Sequence, residues 1–310
     1  MLSENISRDD IQTMKILIIK TGQCETFHFS DSAEVISLGD VLRSTVLLHL
    51  FKNDQIYWIC SPQAAGLIEG ISGITVATDN SEFAGKHFDL IINLERHHSL
   101  DGFQYADWVG FNGHQFKTSE EVKNLNSWLY DMQRQNKNWS EKLFLLLGKS
   151  WNGENYLLPE KYSIKTDGQR IGLNWKVGVK WPSKSWPFES WTMLSKKLEN
   201  FGEYSWQEGF FDLDEYIRWL NSCDLIVTHD SLGLHLALAL QKKIVALFGS
   251  TSSSEIHGSD KAVFLNKKND SEFACVPCYK AACDQKNHCV EKISVDEVFQ
   301  AITKLRERHE

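Results

Sequence analysis

Short apolar runs alternate along this chain with longer stretches in which apolar residues return every three or four positions. Residues 15–20 read Lys-Ile-Leu-Ile-Ile-Lys, a compact, β-branched run that predicts a parallel strand buried on both faces. Apolar positions then recur at helical spacing from Asp40 to Phe51. Residues 56–60, 74–77 and 88–94 (Phe-Asp-Leu-Ile-Ile-Asn-Leu) predict further strands, with a helix over 62–70. Alternation of this kind predicts a doubly wound parallel sheet.

A mostly helical stretch covers about 118–148, and the polar segment 149–170, with its glycines and Pro159, reads as a linker. Alternation then resumes. Strands are expected over 171–175, 225–228, 244–248 and 262–265, and helices over 187–200, 213–223, 231–240 and 294–308. Pro187 suits the first turn of its helix. The expected fold is α/β: two Rossmann-like doubly wound domains facing a central cleft. Residues 1–13 form an extension, 14–155 the N-terminal domain and 156–310 the C-terminal domain. A cleft between two such domains is a favoured place for a ligand.

Composition narrows the function. The 310 residues are 42% hydrophobic and 24% charged, with a net charge of −8 and no long basic run. Nucleic acid is therefore excluded as the main partner, because binding its backbone needs clustered Lys and Arg. The first 13 residues are polar and lack the apolar core of a secretory signal. Apolar runs fall well short of the ~20 residues a membrane helix needs. The expected location is the cytoplasm, with peripheral contact at the inner face of the membrane left open.

Residues 228–235 read Thr-His-Asp-Ser-Leu-Gly-Leu-His and are followed by a second apolar run at 244–249. This pattern predicts a strand, a tight polar turn, a short helix and another strand. The turn falls where an α/β protein presents free backbone N–H groups to an anion. An acid, a hydroxyl, a glycine and a histidine so close together point to a phosphorylated ligand.

Of seven cysteines, four form a Cys-x2-Cys-x4-Cys-x5-Cys run: Cys275, Cys278, Cys283 and Cys289. In an intracellular chain such a cluster means a metal or reduced thiols. Four closely spaced thiolates suit a structural zinc or iron, with His288 as a substitute ligand. The other reading is four free thiols. Cys60 and Cys223 flank expected strands as small apolar residues would.

Taken in order, several segments resemble glycosyltransferase family 9, the heptosyltransferase family with the GT-B fold. They are Lys15-Ile-Leu-Ile-Ile-Lys-Thr-Gly22, Leu38-Gly-Asp-Val-Leu-Arg-Ser-Thr45, Trp181-Pro-Ser-Lys-Ser-Trp-Pro187, residues 228–249 and the cysteine run. The resemblance implies inverting transfer of a sugar from a nucleotide-diphospho-sugar, typically ADP-heptose, to a hydroxyl of a lipopolysaccharide-core or protein acceptor. It implies no cofactor for catalysis. It also implies that some relatives hold iron at a cysteine motif.

By that resemblance Asp40 is the general base that takes the acceptor's proton. The residue alone reads rather as a cap of the following helix. Lys184, assisted by Lys180, would stabilise the departing diphosphate; the plain alternative is a solvated lysine. Ser231, Leu232 and Gly233 would bind phosphate at the helix start, with Gly233 allowing close approach. Asp230 would repel phosphate, so it is expected to cap the helix or contact a sugar hydroxyl. His235 either holds diphosphate or sugar, or is a core histidine. Gly249-Ser-Thr251 is a weak candidate for contact with the nucleotide.

The chain departs from the family in three places. It inserts residues 23–37 between the first strand and Leu38-Gly-Asp40, and Glu25, Asp31 or Glu34 in the insertion could rival Asp40 as the base. The insertion reads either as an acceptor-reading lid or as a tolerated loop. Val179 stands where many relatives carry Ser or Thr, and the glycine of the Asp230 turn is shifted by one place. Two other classes stay open: a GT-B-like sugar-nucleotide epimerase or phosphorylase, and a non-catalytic nucleotide-sugar-binding or scaffold relative.

Overall fold

The computed structural model describes residues 13–23, 36–95, 98–111, 137–163, 169–209 and 212–307. Residues 1–12 of the extension, residues 24–35 of the insertion and the part of the helical stretch before residue 137 lie outside them.

The first sheet holds β1 (Lys15–Ile19), β2 (Gln55–Ile59), β3 (Ile74–Ala77), β4 (His87–Asn93) and β5 (Gln104–Gly110), in the order β3-β2-β1-β4-β5. The second holds β6 (Ile171–Asn174), β7 (Tyr204–Trp206), β8 (Leu225–His229), β9 (Lys243–Leu247) and β10 (Ala262–Leu265), in the order β10-β9-β8-β6-β7. Every pairing is parallel. Ile16–Ile19 and all of β8 are buried, as expected for central strands covered on both faces. The strand order reverses between β1 and β4 in one sheet and between β6 and β8 in the other. Ligands of open α/β sheets bind beyond the carboxyl ends of strands at such points.

The helices are α1 (Leu38–Ser44), α2 (Pro62–Ala65), α3 (Trp139–Leu146), α4 (Phe188–Leu198), α5 (Leu213–Asn221), α6 (Leu232–Ala239) and α7 (Val295–Glu307). Asn138 caps α3 in a reciprocal box with Glu141, and Asp212 caps α5. The helix expected over 40–51 starts earlier and tightens after Ser44 into a 3-10 helix, Thr45–Leu50. Ser44 and Thr45 cause this locally. Their hydroxyls donate to the Asp40 and Leu42 carbonyls.

One apolar core runs through both halves of the chain. It joins Val41 and Leu42 of α1, Trp139 and Phe144 of α3, and Leu234 and Leu236 of α6. A second core packs Trp191 and Leu194 of α4 with Val298 and Ile302 of α7 against the far face of the second sheet. The expected linker is more than a spacer. Tyr156 and Tyr162 are buried in the shared core. Lys161 and Tyr162 both donate to Asp214 of α5, at 2.8 and 2.7 Å.

Candidate functional site

α1 belongs to the first sheet's side and α6 to the second's, and they meet directly. A Cβ on Gly39 would lie 2.8 Å from His235 Cδ2, so a side chain there would push the helices apart. Beside this contact lies a cavity of about 430 Å³. Its charged lining is Asp40 and Arg43 from α1 and Lys176, Lys180, Lys184, Asp230 and Glu255 from the second half.

Asp40 is the third residue of α1, which begins after Ser37. It is therefore not the helix cap that the residue alone allowed. Its carboxylate lies 2.5 Å from Arg43, one turn on. Burial pushes the Asp40 carboxyl up, but Arg43, Lys20, the Ser37 hydroxyl and His235 together hold it below the ordinary range. Asp40 is thus ionised at neutral pH, in the form a base requires. Arg43 itself stacks 4.2 Å from the centre of the Trp139 ring.

The switch point of the first sheet is filled from within. Glu95, beyond β4, accepts the N–H groups of Thr21 (2.7 Å) and Gly22 (2.9 Å) and pairs with buried Lys20 at 3.2 Å. Amides that could face an external anion there serve the protein's own carboxylate. The second sheet differs. Ser231 precedes α6 in an extended conformation and makes no side-chain cap. Its hydroxyl is buried without a partner, and Ser231 and Leu232 line the cavity. The uncapped helix start faces the open space, where its N–H groups and dipole favour an anion.

Lys184 closes a one-turn 3-10 helix, Pro182–Lys184, and donates to Asp230 Oδ2 at 2.7 Å. Thr251 donates to the same oxygen at 2.6 Å. Asp230 therefore anchors Lys184 and Thr251 and does not cap α6. Burial pushes its carboxyl up, but Lys184, His235 and Thr251 outweigh this and hold it well below the usual range. His235 is buried yet lines the cavity, and its Nδ1 has no partner. Burial, with Arg43 and Lys184, pushes it down to about 4 against the pull of Asp230 and Asp40, so it is neutral at pH 7.

Two expected roles change. Gly233 is buried and does not line the cavity. A Cβ there would fall on the Asn174 amide and the Tyr216 hydroxyl, which are bonded to each other at 2.8 Å, with Thr228 joined to Asn174 at 2.7 Å. The glycine makes room for this polar knot. Val179 is 84% exposed and outside the cavity lining, so the missing hydroxyl at that position would not have faced it. Lys180, by contrast, lines the cavity as expected.

Sequence reasoning gave no role to Arg43, Lys176, Tyr216 or Glu255, and it rated Thr251 weak. Arg43 had a readable signal in its i,i+3 spacing from Asp40. Glu255 had none, since it reaches the cavity only through the turn after β9.

Among the described residues, no group of three or more His, Cys, Asp or Glu is arranged to hold a metal ion. Cys275 is exposed, whereas Cys278, Cys283 and Cys289 are partly buried. Burial and the other loop thiols push Cys289 up to about 11, which favours the neutral thiol.

Two doubly wound parallel sheets sharing a cavity between them define the GT-B class of fold. Residues 209–289 match the family model "Glycosyltransferase family 9 (heptosyltransferase)". That segment is similar to glycosyltransferase family 9, and the chain as a whole carries the fold of solved structures from that family. A glycosyltransferase family 9 structure from Veillonella parvula matches with a TM-score of 0.62 at 14% identity, covering 95% of this chain and 97% of that one. The E. coli heptosyltransferase WaaC with ADP-2-deoxy-2-fluoro heptose matches at 0.60 and 14%, covering 94% and 99%. The E. coli iron-containing dodecameric glycosyltransferase TibC matches at 0.58 and 14%, covering 96% and 77%. Lipooligosaccharide heptosyltransferase 2 of Campylobacter jejuni subsp. jejuni is 32% identical over 88 residues. That match covers 27% of this chain and 26% of the relative's length, so the likeness in sequence is local. No helix among the described residues is long and apolar enough to cross a membrane.

Proposed function

We propose that the chain is a glycosyltransferase that moves a sugar from a nucleotide-diphospho-sugar to an acceptor hydroxyl. The observation that carries this reading is the cavity itself. It sets an ionised carboxylate, Asp40, opposite a cationic wall, Lys180 and Lys184, and an uncapped helix start at Ser231. A donor diphosphate fits the second wall, where its charge meets the lysines and the N–H groups of α6. Asp40 takes the proton of the acceptor hydroxyl as its oxygen attacks the anomeric carbon. Lys184 stabilises the charge that builds on the leaving diphosphate. Direct displacement with one base inverts the anomeric centre.

In its most specific form the donor is ADP-heptose and the acceptor a lipopolysaccharide core or a protein. Support comes from relatives described as heptosyltransferases and from the structures of WaaC and TibC with ADP-heptose ligands. The reaction then belongs to the cytoplasm or the inner face of the membrane. A second reading, a non-catalytic nucleotide-sugar-binding relative, is favoured by one observation. Asp40 and Lys184 are each already ion-paired, with Arg43 and Asp230.

The binding half of the proposal is tested by a thermal-shift screen across ADP- and UDP-sugars. An ADP-sugar should raise the melting temperature, and Lys184→Ala should weaken that rise. If no nucleotide-sugar shifts it, the assignment fails. A structural zinc or iron at the cysteine loop is a separate proposal, resting on the sulphur spacing and on the likeness to TibC. One equivalent of either metal in protein purified without chelator would support it, and none would overturn it.

A further inference from the structure

The cysteine-rich loop is fastened to the loops that carry the site. Tyr279 N–H donates to the Ser250 carbonyl at 2.7 Å. Ser183 N–H donates to the Ala281 carbonyl at 3.1 Å, and Ser183 Oγ to the Lys280 carbonyl at 2.7 Å. Residues 279–281 are thereby tied to the neighbours of Thr251 and Lys184. From this anchor the Tyr279 hydroxyl reaches Glu255 Oε1 at 3.0 Å. Tyr279 adopts φ +53°, in the left-handed region. That conformation is strained for a residue with a side chain, and such positions gather at functional sites.

Glu255 lines the cavity, and Arg43 feels its charge as it feels that of Asp40. It therefore stands toward the end where the reaction would occur. Asp40 and Asp230 each have a cation, at 2.5 and 2.7 Å. Arg43 and buried Lys142 both feel the charge of Glu255, but among the described residues it has no direct ion pair, and its hydrogen bond comes from a neutral phenol. A carboxylate offers about four acceptor positions, and Tyr279 uses one. An ionised diphosphate has no proton to give such an acceptor. Hydroxyl groups would be bound, because each can donate to a charged acceptor.

We propose that Glu255 is a specificity-determining residue that accepts hydrogen bonds from hydroxyls of the transferred sugar, with Tyr279 as the positioning residue that orients it. The proposal rests on the nucleotide-sugar reading and adds which group reads the sugar.

Calorimetric titration of the full chain with ADP-heptose and with ADP separates the two ideas. Wild type should bind ADP-heptose more tightly than ADP. Glu255→Gln should leave ADP binding within about twofold while weakening ADP-heptose about tenfold, the scale of one hydrogen bond to a charged group. Tyr279→Phe, which removes only a hydroxyl, should act in the same direction by about threefold with an unchanged melting temperature. That variant keeps the test open should Glu255→Gln fail to fold. Equal losses for both ligands, no loss for either, or a wild type that gains nothing from the sugar would overturn the role of Glu255. A wild type that binds neither compound would overturn the nucleotide-sugar reading, and this inference with it.

Discussion

Asp40 sits under opposing influences, and their balance sets what it can do. Burial disfavours its charge, while Arg43, Lys20, Ser37 and His235 favour it, and the charge prevails. A carboxylate held this low is ionised over a wide pH range, though it is a weaker base for it. Arg43 is the nearest of these groups, so Arg43→Met should raise the Asp40 carboxyl. The acid limb of the kcat/KM profile should then move to higher pH. A limb that stays in place would show that another group sets it. Asp40 was legible as a candidate from Gly39-Asp40 and the family resemblance. Arg43 is legible as a partner from its i,i+3 spacing, but only the fold shows that the pair is buried at the cavity. Glu255 was not legible, since only the folded turn after β9 brings it to the cavity.

The elements show the same division. Central strands were readable because burial on both faces demands unbroken apolar runs, as in Ile16–Ile19. β5 and β7 were not anticipated. Both are edge strands, covered less fully, and their residues mix polar and aromatic types without a continuous run. The meeting of α1 with α6 was equally invisible, because it joins residues far apart in the chain. It makes a sharp prediction. Gly39→Ala should cost about 1–3 kcal/mol in denaturant unfolding, the usual scale of overpacking. His235→Ala should recover much of that loss in the double variant, since the two sites share one contact. Additive losses would mean that the helices do not press together there.

For the whole molecule, alternation of strands and helices was enough to expect two doubly wound sheets and a cleft. It was not enough to place the cleft's contents. The expected phosphate approach at Gly233 is occupied by the Asn174–Tyr216–Thr228 knot. The N-terminal switch point is filled by Glu95. Both findings leave Ser231, Lys180 and Lys184 as the cavity groups suited to an anionic ligand, and in the proposed reaction Asp40 takes the acceptor side. The most direct measurement is release of ADP from ADP-heptose with and without a heptose-deficient lipopolysaccharide core. The account predicts acceptor-dependent release by wild type, reduced about 10²-fold or more in Asp40→Ala. Wild-type protein that binds the donor yet releases no ADP with any acceptor, or Asp40→Ala that turns over like wild type, would contradict it.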